Sequence, residues 1–228
     1  MKIEVSQISE FGFLVKFKKG VTLNSVTSLW KKITADPFFG NRIIIPSYDS
    51  ILIESPFYSD YTPQRFESKI LSIINAFQPE TIEMSDINII EIPVYYAQEV
   101  GSDLPLIANA RKKSIEDIIK AHSEKVYDIY CLGFLPGFAY LGKTDPLFHF
   151  PRKEKVEKEV KAGTLAIAED QTAIYSLNSP GGWHQIGRTP IDLLDEEGEL
   201  TYPFAIGSQV KFNPISREDF LSLGGELE

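Results

Sequence analysis

Between Gly133 and Pro190 glycine and proline recur in three clusters: Gly133-Phe-Leu-Pro-Gly-Phe-Ala-Tyr-Leu-Gly142, Lys161-Ala-Gly-Thr-Leu-Ala-Ile-Ala168 and Ser179-Pro-Gly-Gly-Trp-His-Gln-Ile-Gly-Arg-Thr-Pro190. Glycine serves where the chain takes positive φ or another group approaches the backbone, and proline pre-sets the adjoining turn. Around them lie short apolar runs, Tyr127 to Leu132, Thr164 to Ala168, Ala173 to Tyr175 and Gln209 to Phe212. Short strands punctuated this often predict a β-barrel or sandwich from about Ile89 onward.

The first part of the chain is patterned differently. Ile3 to Ile8 and Phe11 to Phe17 read as strands. Val26, Leu29, Trp30 and Ile33 fall at helical spacing behind Asn24 and Ser25 as capping candidates. Arg42 to Ile45 and Ile51 to Glu54 flank the turn residues Pro46 to Ser50. A second helix opens at Thr62-Pro63 with the stripe Phe66, Ile70, Ile73, Ile74 and Phe77. This order predicts a two-layer α+β domain over residues 1–86, with a boundary in the polar stretch from Gln78 to Asp86. A second domain, 87–228, opens with a strand from Ile89 to Tyr96 and a capping-box helix at Ser114-Ile-Glu-Asp117 that ends near His122.

The three clusters are also the place for a binding site, because such loops leave N–H groups free to face a ligand. Phe134, Phe138, Tyr140 and Trp183 offer apolar or stacking walls, and Arg188 with Thr189 a fixed charge and a hydroxyl. The residues alone leave a second reading open, in which these are ordinary barrel corners whose aromatics fill the interior. The charged run from Arg152 to Lys161 reads as a solvated loop or lid.

Composition narrows the chemistry. With 23 basic against 32 acidic side chains, the protein lacks the positive field that binding to nucleic acid requires. Residues 1–88 carry 9 basic and 10 acidic groups, leaving 14 and 22 for the rest, so the acidity belongs mostly to the second domain. Cys131 stands alone, expected as a small buried hydrophobe. His122, His149 and His184 are too scattered for a metal signature, and His122 reads as a helix-terminal dipole partner. No catalytic residue is assigned: a serine elbow and a Gly-rich phosphate loop are both missing from the sequence. The N-terminus offers no signal-peptide core and no run reaches membrane-spanning length, so a cytoplasmic protein without a membrane partner is expected.

Gly133-Phe-Leu-Pro-Gly-Phe-Ala-Tyr-Leu141, Ala162-Gly163, Ser179-Pro-Gly-Gly-Trp183 and Ile186-Gly-Arg-Thr-Pro190 occur in this order in a known family. With Gly101-Ser-Asp-Leu104 and His122-Ser123, they resemble the B subunit of bacterial ATP-dependent 5-oxoprolinase, the KipI or allophanate hydrolase subunit 1 family. The resemblance covers essentially the whole chain, with its specificity in residues 91–212. It implies an α+β fold in which a small N-terminal α+β domain precedes a cyclophilin-like β-barrel. It also implies a shared activity: the chain works with the C and A subunits of 5-oxoprolinase to cleave 5-oxo-L-proline to L-glutamate using ATP, and is inactive alone. The family's other roles, inhibition of a histidine kinase and urea or allophanate metabolism, are the alternatives. The expected contacts to a small amide substrate are Phe134, Pro136, Gly137, Tyr140, Arg152, Gly181, Gly182, Trp183, Arg188 and Thr189. In one place the sequence departs from the family. A second Pro-Arg followed by Val-Pro-Ala-Gly is usual there, but Val156-Glu157 and Lys161 occupy those positions, leaving Arg152 and Arg188 to hold a carboxylate or amide oxygen.

Overall fold

The computed structural model describes residues 2–18, 20–55, 62–78 and 89–227, which form two compact units, Met1–Asp86 and Ile87–Glu228. The boundary stretch expected after Gln78 lies outside the described residues.

In the first unit, strands β1 (Ile3–Gln7), β2 (Gly12–Phe17), β3 (Ile43–Ser47) and β4 (Ser50–Glu54) make an antiparallel sheet in the order β1-β2-β4-β3. Alternation places Phe13, Val15 and Phe17 of β2 and Ile51 and Ile53 of β4 on one face. Onto that face helices α1 (Leu23–Ala35) and α2 (Pro63–Asn75) lay Val26, Leu29 and Ile33, and Phe66, Ile70 and Ile73. The cap of α1 is Thr22, whose side chain accepts from the Ser25 N–H, rather than Asn24 or Ser25. The hairpin is tighter than expected, because Pro46 and Ser47 pair with Ile51 and Ser50 and leave only Tyr48 and Asp49 as the turn.

The second unit is built on a seven-stranded sheet ordered β12-β9-β10-β7-β6-β13-β5. Its strands are β5 (Ile89–Val94), β6 (Val126–Leu132), β7 (Ala139–Gly142), β9 (Thr164–Ala168), β10 (Gln171–Ile174), β12 (His184–Arg188) and β13 (Gln209–Pro214). The two edge strands meet. Tyr95, just past β5, bridges Arg188 at the end of β12, each N–H donating to the other's carbonyl at 2.8 and 2.9 Å. The sheet is thereby nearly closed into a barrel, which leaves little exposed edge. A separate ribbon joins β8 (Glu157–Val160) to β11 (Ser179–Gly181). Helices α3 (Leu104–Arg111) and α4 (Ile115–Ser123) contribute Leu104, Ile107 and Ile118 to the main core, and α5 (Arg217–Ser222) contributes Phe220 to the buried set. The capping box of α4 is complete: the Ser114 hydroxyl accepts from the Asp117 N–H at 3.0 Å, and the Asp117 carboxylate accepts from the Ser114 N–H.

Strand β9 is buried along its whole length and divides its side chains between two clusters. Leu165 and Ile167 join the main core, whereas Ala166 and Ala168 face a second cluster with Ala173 of β10. Three alanines side by side leave room for large rings, and Phe138, Tyr175 and Trp183 occupy it. Cys131 is only half-buried on β6, and its thiol donates weakly to the Leu132 carbonyl at 3.6 Å. Among the described residues no helix is long and apolar enough to cross a membrane.

Candidate functional site

The residues singled out in the three clusters divide between two cavities. Phe134, Tyr140, Arg152, Gly181, Gly182 and Trp183 line one of about 230 Å³. Arg188 and Thr189 line another, of about 360 Å³. Pro136 and Gly137 lie in the loop joining β6 to β7 and line neither. Gly137 instead shapes that loop at φ +74°, while the Pro136 carbonyl accepts from the Ser176 hydroxyl.

The smaller cavity is walled by rings. Phe138 stands edge-on to Tyr140, Tyr175 and Trp183, with centroids 4.9, 5.4 and 5.9 Å away. Phe134 leans edge-on against Phe138 at 5.3 Å, yet it is 62% exposed and holds a φ of +78°. A bulky side chain in the left-handed region stores backbone strain, and strain of this kind gathers at binding sites. Burial raises the pKa of the Tyr140 and Tyr175 hydroxyls, and the field of Arg152 opposes it at both, alongside a Trp183 backbone contact at Tyr175. Both phenols are therefore hydrogen-bonding groups at neutral pH rather than bases.

Gly181 is required by close approach and not by positive φ. A Cβ there would overlap the Tyr175 hydroxyl and lie 2.8 Å from its Cζ, so the missing side chain lets the ring pass under the turn.

The charged run is more ordered than a solvated loop. The Lys153 N–H donates to the Gly182 carbonyl at 2.7 Å, and its side chain, only 15% exposed, pairs its ammonium with Asp103 at 2.5 Å and with Glu157. Glu157 also accepts from the Gln185 amide at 2.7 Å, and Asp103 from the Gln185 N–H at 2.8 Å. Burial disfavours the Lys153 charge, but hydrogen bonds and attraction from Asp103 and Glu157 overcome it and raise its pKa. His184 sends Nε2 to the Pro151 carbonyl at 3.0 Å and packs against Phe150. The segment is thus fastened to Gly182, to His184 and Gln185 of β12 and to Asp103, and the fastening holds Arg152 and Val156 at the cavity. Arg152 is itself exposed, and among the described residues its guanidinium has no carboxylate partner.

Other groups do not join either cavity. His122 is fully buried in the main core rather than compensating a helix dipole. Among the described residues no group of His, Cys, Asp and Glu side chains is arranged to hold a metal. Lys153, which lines the aromatic cavity, and its partner Asp103 were not singled out by the sequence patterns, although Lys153 follows Arg152 and Asp103 sits in the motif Gly101-Ser-Asp-Leu104.

Residues 3–204 match the family described as carboxyltransferase domain, subdomain C and D. The chain is 30% identical over 230 residues to the B subunit of 5-oxoprolinase from Bacillus subtilis (strain 168), covering 96% of each. It superposes on the solved structure of a conserved uncharacterized protein from Pyrococcus horikoshii with a TM-score of 0.56 at 34% identity, covering 95% of this chain and all of the other. Urea carboxylase of Kluyveromyces lactis gives a TM-score of 0.74 at 16% identity over 96% of this chain and 22% of that longer one, a likeness of fold. Matched along most of its length and related end to end to a curated member, the chain belongs to the carboxyltransferase domain, subdomain C and D, family.

Proposed function

We propose that this chain is the B subunit of a cytoplasmic, ATP-dependent 5-oxoprolinase. In this reading it works with the A and C subunits to add water across the lactam C–N bond of 5-oxo-L-proline, giving L-glutamate. The observation that carries the proposal is the end-to-end relation to the B subunit of 5-oxoprolinase, 30% identity over 96% of both chains.

The geometry supports one wall of such a site. The lactam ring of 5-oxoproline has methylene groups beside its polar amide and carboxylate, and Phe138, Tyr140 and Trp183 give the cavity apolar walls for them. Arg152 is the cation at the same cavity that has no carboxylate partner among the described residues, and it is the natural partner for the substrate carboxylate. The phenols of Tyr140 and Tyr175, kept neutral, can donate to or accept from the amide.

Neither cavity fits a nucleoside triphosphate. Among the described residues the aromatic one offers a single uncommitted guanidinium, since Lys153 is held by Asp103 and Glu157, and the other sets the carboxylates of Asp192 and Glu226 beside its arginine. ATP chemistry is therefore assigned to the partner subunits and routed through no residue here.

The test is to express the chain with and without its A and C partners and follow 5-oxoproline-dependent ATP hydrolysis. Turnover is expected only from the complete set. Full turnover by this chain alone, or none from the complete set, would remove the proposal.

A further inference from the structure

The cavity at Arg188 is distinct from the aromatic one. Arg188 is 9% exposed; its Nη1 donates to the Glu226 backbone carbonyl at 2.9 Å, and among the described residues its buried Nε has no acceptor. A guanidinium presents five donors in a planar fork, and the Nη1 bond to Glu226 leaves others of them uncommitted among the described residues. The surrounding space of about 360 Å³ falls in the range of roughly 300 to 1,000 Å³ typical of small-molecule sites.

The charges around it are of both signs. Asp192 and Glu226 also line the cavity, both exposed. Among the described residues the Asp192 carboxylate has no hydrogen bond or ion pair, while Glu226 acts on Arg188 through its field. Lys161, the other cation of the lining, is drawn toward Glu159 at 3.5 Å. A simple anion reaching Arg188 meets two carboxylates on the way, and a simple cation meets Arg188. A ligand with both charged groups on one carbon satisfies both halves.

We infer that this cavity binds a free α-amino acid, its carboxylate on the open side of the Arg188 fork and its ammonium beside Asp192. The pairing is of the bidentate kind that arginine makes with carboxylates. This site is separate from the aromatic cavity and stands whether or not the proposed reaction is correct.

The test titrates the full chain by calorimetry with L-glutamate and L-alanine, and with acetate and methylamine as the separated half-ligands. At least one amino acid is expected to bind, with each half-ligand weaker by about tenfold or more, since each meets one charge and is repelled by the other. Asp192→Asn, at an exposed position that folding tolerates, should weaken the amino acid about three- to tenfold and not weaken acetate. Arg188→Lys should weaken both by about tenfold, because an ammonium cannot reproduce the fork. No binding by either amino acid, acetate binding as tightly as L-alanine, or indifference to Asp192→Asn would overturn the assignment. So would a loss in Arg152→Met in place of Asp192→Asn, which would put the ligand in the aromatic cavity.

Discussion

Tyr96 donates its phenolic hydrogen to Nδ1 of His122 at 2.9 Å, deep in the core of the second unit. The direction follows from the other side of the ring. Thr172 gives its hydroxyl hydrogen to the Ala166 carbonyl at 3.0 Å, so its oxygen must accept from His122 Nε2–H, also at 3.0 Å. Every polar atom of the imidazole is satisfied in its neutral form, with Tyr127, Phe148 and Phe212 packed around it.

Burial pushes the His122 pKa down to about 3. The unfolded chain takes up the proton near 6.5 and the folded protein only near 3, so the unfolded state binds more protons between these values. The stability from keeping His122 neutral is complete above pH 6.5 and declines as pH falls toward 3, by up to about 1.4 kcal/mol per pH unit. Denaturant unfolding between pH 7 and pH 4 should show this slope, and His122→Gln should flatten it while costing about 2 kcal/mol at pH 7 through disturbed packing and hydrogen bonds. Parallel pH profiles for the two proteins would sink the assignment.

Gly181→Ala should destabilise the protein by about 1 to 3 kcal/mol, because the new methyl group collides with the Tyr175 hydroxyl in a packed cluster. Tyr175→Phe in the same chain should restore only part of this loss, since the ring carbon Cζ would still lie 2.8 Å from the added Cβ. Thermal unfolding of the two single variants and the double variant measures the coupling. Strict additivity would mean that the two residues do not compete for the same space.

How far these contacts can be read from sequence depends on what sets them. Thr164 to Ala168 was legible as a strand because an apolar run between Gly163 and Glu169-Asp170 leaves few alternatives, and the capping box at Ser114 is a purely local device. Strand β12 was hidden inside a segment read as a loop. Its Gly187 is there because a Cβ would come within 2.8 Å of the Tyr95 carbonyl, a strand-closing contact between residues 92 positions apart. Helix α3 escaped because Asp103 spends its carboxylate on Lys153 and Gln185 rather than on a visible cap, and Pro105 reads as a breaker although it lies in the first turn. The site was legible in its residue types and illegible in its division. Trp183 and Arg188 are five residues apart, yet they line different cavities.

Lys153→Met should loosen the charged segment without unfolding the barrel. It leaves Asp103, 14% exposed, without its ammonium partner, which costs about 1 to 3 kcal/mol after allowing for the partial exposure of the cluster. Limited trypsin digestion should then cut more readily after Lys155 and Lys158. Unchanged cleavage would mean that the backbone bond to Gly182 and the His184 and Gln185 contacts suffice to hold the segment.

Arg152→Met separates binding from folding. Its side chain is exposed and has no ion-pair partner among the described residues, so the unfolding midpoint should correspond to a change within about 0.5 kcal/mol of the parent. In the assembled enzyme the same substitution removes the uncommitted cation of the aromatic cavity, and KM for 5-oxoproline should rise about tenfold or more as a charge-assisted carboxylate contact is lost. If the guanidinium holds substrate and transition state equally, kcat is unchanged; a matching fall in kcat would mean that it also steadies charge developing during ring opening. Steady-state kinetics on the reconstituted complex measures both. An unaltered KM with intact folding would take Arg152 out of the substrate site.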